Sequence, residues 1–267
     1  MTTDKINIKD IISDLKETKE GNYNFIYENV LLIGVTGMQS KTTISLIEHI
    51  LKHAGLKTGV ISSNCIKFYG ESIHTTFNDL KVEMLQYVLN KMIKKGIQTV
   101  IMEVSSHTLD SNKMHDLKFD IAVHTSIENE YSGCYRNSGD FLKIQKELFH
   151  ELDKDKIAII NIDDNNALKL IEGNSKALIV TYGLNNKASL TASSISIKDH
   201  INLVVCLQRS LTTIQGVDID TLEFPITLKL LGEHNIYSVL ASIAVALCLN
   251  INVEIIKKSL IWFNGIE

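Results

Sequence analysis

A chain of 267 residues, 45% hydrophobic and 22% charged, is long enough to bury a sizeable core as one large domain or two small ones, and its composition is that of a soluble globular protein. A formal net charge of −4 argues against nucleic acid or an anionic membrane as the main partner. The four cysteines (Cys65, Cys134, Cys206, Cys248) form no C-x-x-C pair, so neither a disulfide framework nor a zinc site is expected.

Met1 to Lys16 carries charges of both signs and no continuous apolar core, which excludes a signal peptide there. The longest apolar stretch, Val239 to Leu249, is too short to span a bilayer. A cytoplasmic location with no membrane partner is the expectation. Residues 1–29 are polar, with one weakly amphipathic segment from Ile6 to Leu15, and read as a short leader and not a domain.

Val30 to Ile33 is an apolar run that stops at Gly34, which suits a strand buried on both faces. Helical periodicity follows from Lys41 to about His53, stopped by Gly55, and a second strand covers Thr58 to Ser62. Asp79 to Lys95 is amphipathic, with Leu80, Met84, Tyr87, Val88 and Met92 on one side, and the strand Thr99 to Val104 comes next. Strands Asp120–Thr125 and Lys156–Ile162 bracket a helix from Asp140 to Leu152; a short helix, Asn166–Ile171, leads to the strand Ala177–Tyr182. This alternation predicts βαβ units and an α/β, doubly wound, mostly parallel sheet. After Tyr182 the strands Leu190–Ile197, Ile201–Leu207 and Phe224–Leu230 have no helix between them and predict a small antiparallel β appendage. Two helices, Gly232–Leu249 and Val253–Phe263, complete a single domain over residues 30–267.

The sharpest local signal is Gly34-Val-Thr-Gly37-Met-Gln-Ser40-Lys41-Thr42-Thr43, placed between an apolar strand and an amphipathic helix. In that setting a helix N-terminus and successive N–H groups cradle phosphates. Gly37, Met38, Gln39, Ser40, Lys41, Thr42 and Thr43 are the candidate nucleotide-binding residues, with Lys41 neutralising phosphate and the Thr42 hydroxyl on Mg²⁺. The plain alternative is an ordinary βα turn that carries Lys-Thr. Ser40 stands where glycine is expected before the lysine. If that position needs a positive φ, serine there costs about 1 kcal/mol or somewhat more.

With its flanks, this loop resembles the G-x-T-G-T-N-G-K-T-T signature of the Mur ligase superfamily, ATP-dependent enzymes that join amino acids to carboxylates through acyl phosphates. Met102-Glu103-Val104-Ser105-Ser106-His107 is similar to the M-E-V-S-S-H motif of the UDP-N-acetylmuramoyl-tripeptide synthetase branch. Thr75-Thr76 matches its T-T-P with Phe77 for proline, and Asn161-Ile-Asp163-Asp164 its N-x-D-D. Tyr182-Gly183 with Asn185 resembles a region that contacts adenine, and Gly232-Glu-His234-Asn235-Ile-Tyr resembles the family's helix start. The resemblance implies ATP and Mg²⁺ as cofactors. It implies catalytic roles for Lys41, Glu103 and His107, metal contacts from Thr42 and Glu103, and nucleotide contacts from Asn185 and Asn235. Thr75, Thr76, Ser105 and Ser106 would bind substrate.

Glu103 at the carboxyl end of a predicted parallel strand suits a Mg²⁺ contact on its own chemistry. Taken alone, Glu103 is a surface acid and His107 a loop histidine; Asn235 serves equally as a helix N-cap.

The pattern also breaks. Registered from Thr125 to Leu148-Phe149 on the family's T-N-x-x-x-D-H-L-D-x-H-G stretch, the chain has Glu130 and Tyr131 at the D-H pair, Gly133 at the second aspartate and Tyr135 at the later histidine. Tyrosine replaces an imidazole metal ligand poorly. The lysine that many members carbamylate falls on Gln145, between Lys143 and Lys146. The family's N-terminal UDP-sugar domain and C-terminal ligase domain are expected to be absent.

Two functions follow. One is a tripeptide-synthetase-like ligase domain, impaired or incomplete as it stands, with ATP, a UDP-muramoyl peptide and a protein supplying the missing domains as partners. The other is a non-catalytic nucleotide- or partner-binding module of the same descent. An unrelated P-loop NTPase is disfavoured by the accumulated motifs.

Overall fold

The computed structural model describes residues 30–74, 82–104, 117–127, 138–173, 176–230, 232–263 and 265. In chain order the strands are β1 (Leu31–Thr36), β2 (Thr58–Ile61), β3 (Cys65–Phe68), β4 (Glu71–His74), β5 (Thr99–Glu103), β6 (Ile121–His124), β7 (Ile157–Asn161) and β8 (Leu178–Tyr182). They continue as β9 (Leu190–Ile197), β10 (Ile201–Leu207), β11 (Leu211–Thr212), β12 (Asp218–Ile219) and β13 (Leu222–Leu228). The helices are α1 (Ser40–His53), α2 (Val82–Lys94), α3 (Ser138–His150), α4 (Ala167–Ile171), α5 (His234–Cys248) and α6 (Val253–Ile261).

One eleven-stranded sheet runs in the order β13-β10-β9-β8-β7-β6-β1-β5-β2-β3-β4. From β2 through β8 neighbouring strands pair in parallel. The apolar runs of β1, β2, β5, β6 and β7 are buried on both faces, as helix-covered parallel strands require, whereas β8 exposes Leu178 and Ile179. Along β1 the side chains alternate: Leu32 joins the core under α2, α3 and α4, whereas Ile33 and Val35 join the core under α1, α5 and α6. The expected α/β doubly wound sheet with an antiparallel part is therefore what forms. The antiparallel strands β9, β10 and β13 are hydrogen-bonded onto the same sheet, joined to β8 by the single parallel pair Tyr182↔Leu190.

Two antiparallel features have no counterpart in the sequence expectation. The β3–β4 hairpin extends the other edge of the sheet. Its two-residue turn places both Tyr69 (φ 55°) and Gly70 (φ 77°) in the left-handed region, the geometry that matches strand twist. A tyrosine is an uncommon residue for that position, and it hides the turn from a composition-based reading. The small β11–β12 pair forms its own two-stranded sheet. Pro225, the chain's one proline, lies on the terminal strand β13, the place in a sheet that tolerates it. Among the described residues no helix is long and apolar enough to cross a membrane.

Candidate functional site

The parallel strands end in polar residues on one side of the sheet: Thr36 on β1, Glu103 on β5, His124 on β6, Asn161 on β7 and Tyr182 on β8. Open α/β sheets bind ligands outside these carboxyl ends, where the strand order reverses. Here the chain leaves β1 for β2 on one side of the sheet and returns through β5 to β6 on the other. The crevice therefore opens at the tip of β1.

At that tip Gly37 has φ 107°. A Cβ there would lie 2.3 Å from Thr125 Oγ1 and 2.6 Å from the Ser126 carbonyl oxygen, so glycine is required both by conformation and by space. The loop is stitched to the end of β6: Met38 N–H donates to Ser126 O (3.1 Å) and Gln39 N–H to Thr125 Oγ1 (3.3 Å). The Thr125 hydroxyl in turn donates to Thr36 O (3.0 Å). α1 starts at Ser40 with no side-chain cap on Gln39 and no acidic residue in its first turn. First-turn N–H groups have no intrahelical acceptor, and the helix dipole makes this end attractive to anions. Lys41 is exposed and Thr42 half-buried beside it; Thr43 is buried and gives its N–H to Gln39 O.

Ser40 departs from expectation. It is the first residue of α1 and is not among the positive-φ residues, so no left-handed strain falls on it. The left-handed requirement sits three residues earlier, at Gly37. The serine hydroxyl donates to Glu103 Oε1 at 2.8 Å, and Ser63 N–H donates to Glu103 Oε2 at 2.7 Å. Ser40 is 4% exposed and Glu103 8%, so the predicted metal carboxylate is a buried group with a protein donor on each oxygen. Gln145, carried in by α3, is also buried; its Nε2–H donates to Thr36 Oγ1 (2.8 Å), and its Oε1 has no partner among the described residues. Lys146 points away, to Glu172 at 3.5 Å.

Beside the loop lies a cleft of about 290 Å³, lined by Ser126, Asn161, Asp163, Asp164, Asn185 and Tyr237 among others. Ser126 lines the cleft and accepts the loop's Met38 N–H, so the cleft adjoins the loop. Asp163 sits in a cage of donors. Leu184, Asn185 and Asn186 give backbone N–H bonds of 2.6, 3.0 and 2.8 Å, and the Tyr237 hydroxyl donates at 3.0 Å. Partial burial pushes its carboxyl up, but the donors from Asn185, Leu184, Tyr237 and Asn186 outweigh this and hold it below the usual carboxylate range. The Tyr237 phenol is pushed up to about 12 by burial and by its bond to Asp163. Asp164 accepts from His124 Nε2 (3.3 Å), from Asn166 N–H (2.7 Å) and from Ile127 N–H. Burial again raises its carboxyl and is overcome by these donors, His124 first. Asn161 completes the frame, donating to Thr125 O at 2.6 Å.

Of the predicted residues, Gly37 through Thr42 and Glu103 gather at the loop, and Asn185 lies on the cleft, where its amide donates to the Tyr237 hydroxyl at 3.2 Å. Asn235 is not the N-cap of α5; that position is Glu233, and Asn235 lies inside the first turn, nearly buried. Thr75, Thr76, Ser105, Ser106, His107, Glu130, Tyr131, Gly133 and Tyr135 lie outside the described residues. The residues that the sequence reading left without a role are Thr36, His124, Thr125, Asp163, Asp164 and Tyr237. A signal was available for two of them: Thr36 and His124 are the polar residues on which the apolar strands β1 and β6 close.

The loop end suits a polyphosphate through its helix start, which carries Lys41 and has no side-chain cap or first-turn acid, while Gly37 lets the loop pack against Thr125 and Ser126 and the Met38, Gln39 and Ser40 N–H groups bond within the protein. For Mg²⁺ the donors are one hydroxyl, Thr42, and one carboxylate, Glu103, already engaged on both oxygens. That chemistry suits an ion held chiefly by phosphate and water. Among the described residues no group of three or more His, Cys, Asp or Glu could hold a metal.

The Mur ligase middle domain family matches residues 35–246, well over half of the chain. UDP-N-acetylmuramoyl-L-alanyl-D-glutamate–2,6-diaminopimelate ligase of Bacillus velezensis is 31% identical over 243 residues, covering 88% of this chain and 47% of that protein. UDP-N-acetylmuramyl-tripeptide synthetase 2 of Oceanobacillus iheyensis is 30% identical over 230 residues, covering 83% and 44%. A solved UDP-N-acetylmuramoyl-L-alanyl-D-glutamate–2,6-diaminopimelate ligase superposes with a TM-score of 0.77 at 20% identity, over 91% of this chain and 49% of that one. The chain spans about half the length of the curated relatives it matches.

Proposed function

This chain belongs to the Mur ligase family, and from that premise we propose that residues 30–267 form the nucleotide-binding domain of an ATP-dependent acid–amino-acid ligase of the tripeptide-synthetase kind. The observation that carries this is the adjacency of loop and cleft, bridged by the Met38–Ser126 hydrogen bond, which offers a phosphate end beside a base end. Gly37, Lys41, Thr42 and the first-turn N–H groups would hold the phosphates. Asp163, Asn185 and Tyr237 offer a polar rim for a purine base. ATP, with Mg²⁺ on its phosphates, supplies the phosphoryl group that activates a carboxylate. By kinship the acceptor is a UDP-muramoyl peptide, and ligation needs the portion of the relatives that this sequence does not span, from the same polypeptide or from a partner protein.

Within that frame each residue has a physical task. Lys41 brings a compact positive charge to the developing negative charge of phosphoryl transfer, the kind of preorganised electrostatics that dominates such reactions. Thr125 and Ser126 hold the Gln39 and Met38 amides of the loop against the end of β6, and Asn161 fixes Thr125 in turn, which leaves phosphate to Lys41 and the helix start. The second reading, a nucleotide-binding module without ligase turnover, is favoured by one observation: neutral Gln145 is bonded to Thr36 where the family's lysine would carry charge.

Calorimetric titration with ATP·Mg²⁺ tests the shared premise, and saturable 1:1 binding is expected; absence of binding overturns both readings. ADP release that depends on a UDP-muramoyl dipeptide and an amino acid supports the ligase. Binding without release supports the module.

A further inference from the structure

We propose that Ser40 is a positioning residue that keeps Glu103 from binding a divalent cation directly, so that nucleotide binding by this chain depends only weakly on Mg²⁺. The inference deepens the nucleotide-binding reading above and rests on it only for the role of the loop, not for the state of Glu103.

The geometry is unusually closed. Ser40 Oγ–H reaches Glu103 Oε1 at 2.8 Å, and Ser63 N–H reaches Oε2 at 2.7 Å; the serine and glutamate side chains are both buried. Three separate elements are tied by one carboxylate: the start of α1, the end of β5 and the segment after β2. Hydrogen bonds from fixed donors to an ionised oxygen are short and strong, and they set the plane of the carboxylate. Direct Mg²⁺ coordination requires near-octahedral geometry at about 2.0–2.1 Å and removal of tightly held water. Each oxygen keeps a second lone pair, but the two fixed donors set the plane of the carboxylate, and a cation must take the direction they leave or displace a buried bond. Loss of the serine donor would leave that oxygen in want of a partner, which a cation can satisfy.

Charge points the same way. An unshielded Glu103 behind the loop repels a polyphosphate, and in that case a cation is needed to bring the two together. Here the Ser40 and Ser63 donors share that shielding. A glycine at position 40 would remove one of the two donors without disturbing the helical start, since residue 40 has helical backbone.

The test uses Mn²⁺ alone as the first probe, because it needs no nucleotide. Titration of the whole chain, followed by electron paramagnetic resonance of free Mn²⁺, is compared for wild type, Ser40→Gly, Ser40→Ala and Ser40→Thr. Wild type and Ser40→Thr are expected to bind Mn²⁺ weakly; Ser40→Gly and Ser40→Ala are expected to bind about tenfold more tightly, the change that one charge-assisted hydrogen bond governs. Equal affinities across the set overturn the proposal, as does tight binding by wild type. The second measurement is the ratio of ADP affinities with Mg²⁺ and with excess EDTA. Wild type should change less than about threefold and Ser40→Gly about tenfold or more; a tenfold ratio in wild type overturns the inference. If ADP binds to none of the proteins, the nucleotide reading fails, while the Mn²⁺ titration still decides the role of Ser40. Circular dichroism melting of each variant verifies that the proteins compared are folded.

Discussion

At the loop end of the site, Ser40, Glu103, Thr125 and Gln145 are buried and each is bonded to a residue on a different element. At the cleft end, Asp163 and Tyr237 reach solvent, and most of the donors on Asp163 come from one turn, residues 184–186. The first end is fixed by contacts between strands far apart in sequence, the second by a local cage around a single carboxylate. A substitution at the loop should therefore act through backbone geometry, and one at the cleft through protonation and individual hydrogen bonds.

The largest effect is expected from Gly37→Ala. The left-handed backbone costs about 1–2 kcal/mol for an L residue, and the new methyl would also collide with Thr125 and the Ser126 backbone. ATP affinity measured by calorimetry should fall about a hundredfold or more. Next, Lys41→Ala should cost about 1.5–3 kcal/mol of triphosphate binding, the range for a hydrogen bond to a charged group, and leave adenosine affinity unchanged. Equal losses for ATP and adenosine would dissolve the distinction between the two ends.

Asp163→Asn sharpens the contrast by pH. A carboxyl held below its unfolded value contributes stability that is fully present above the unfolded value, about pH 3.9, and is lost as pH falls through the lower folded value. Melting temperatures from pH 7 to pH 3 should show wild type above the variant at neutrality, with the gap narrowing at the acid end. A constant gap would show that the cage does not act through charge. The smallest effect is expected for Tyr237→Phe, which removes one donor from Asp163 and about 1 kcal/mol of local stability. Because burial and the bond to Asp163 push that phenol up to about 12, the loss should be the same from pH 6 to pH 9.

The same division explains what the sequence made legible. Strands β1, β5, β6 and β7 were readable because burial on both faces forces continuous apolar runs, and the loop because a glycine and a Lys-Thr pair sit between a strand and a helix. The left-handed requirement was expected at residue 40 and falls at Gly37, because a motif gives residue order and not the dihedral angles beneath it. The hairpin turn at Tyr69-Gly70 was hidden by a residue rarely found in that conformation. The pair His124 and Asp164 joins residues 40 positions apart, and no local pattern announces such a partner.

Among the described residues the eleven-stranded sheet ends at two edge strands, where another chain could add a strand. One is β13, where Pro225 interrupts the row of amide donors; the other is β4, four residues long and carrying Glu71, which is held to Lys95 at 3.3 Å. Proline, charge and brevity are the means by which natural sheets refuse edge-to-edge growth. The one proline of this sequence thus falls on an edge strand, where a missing amide donor disfavours the addition of a further strand.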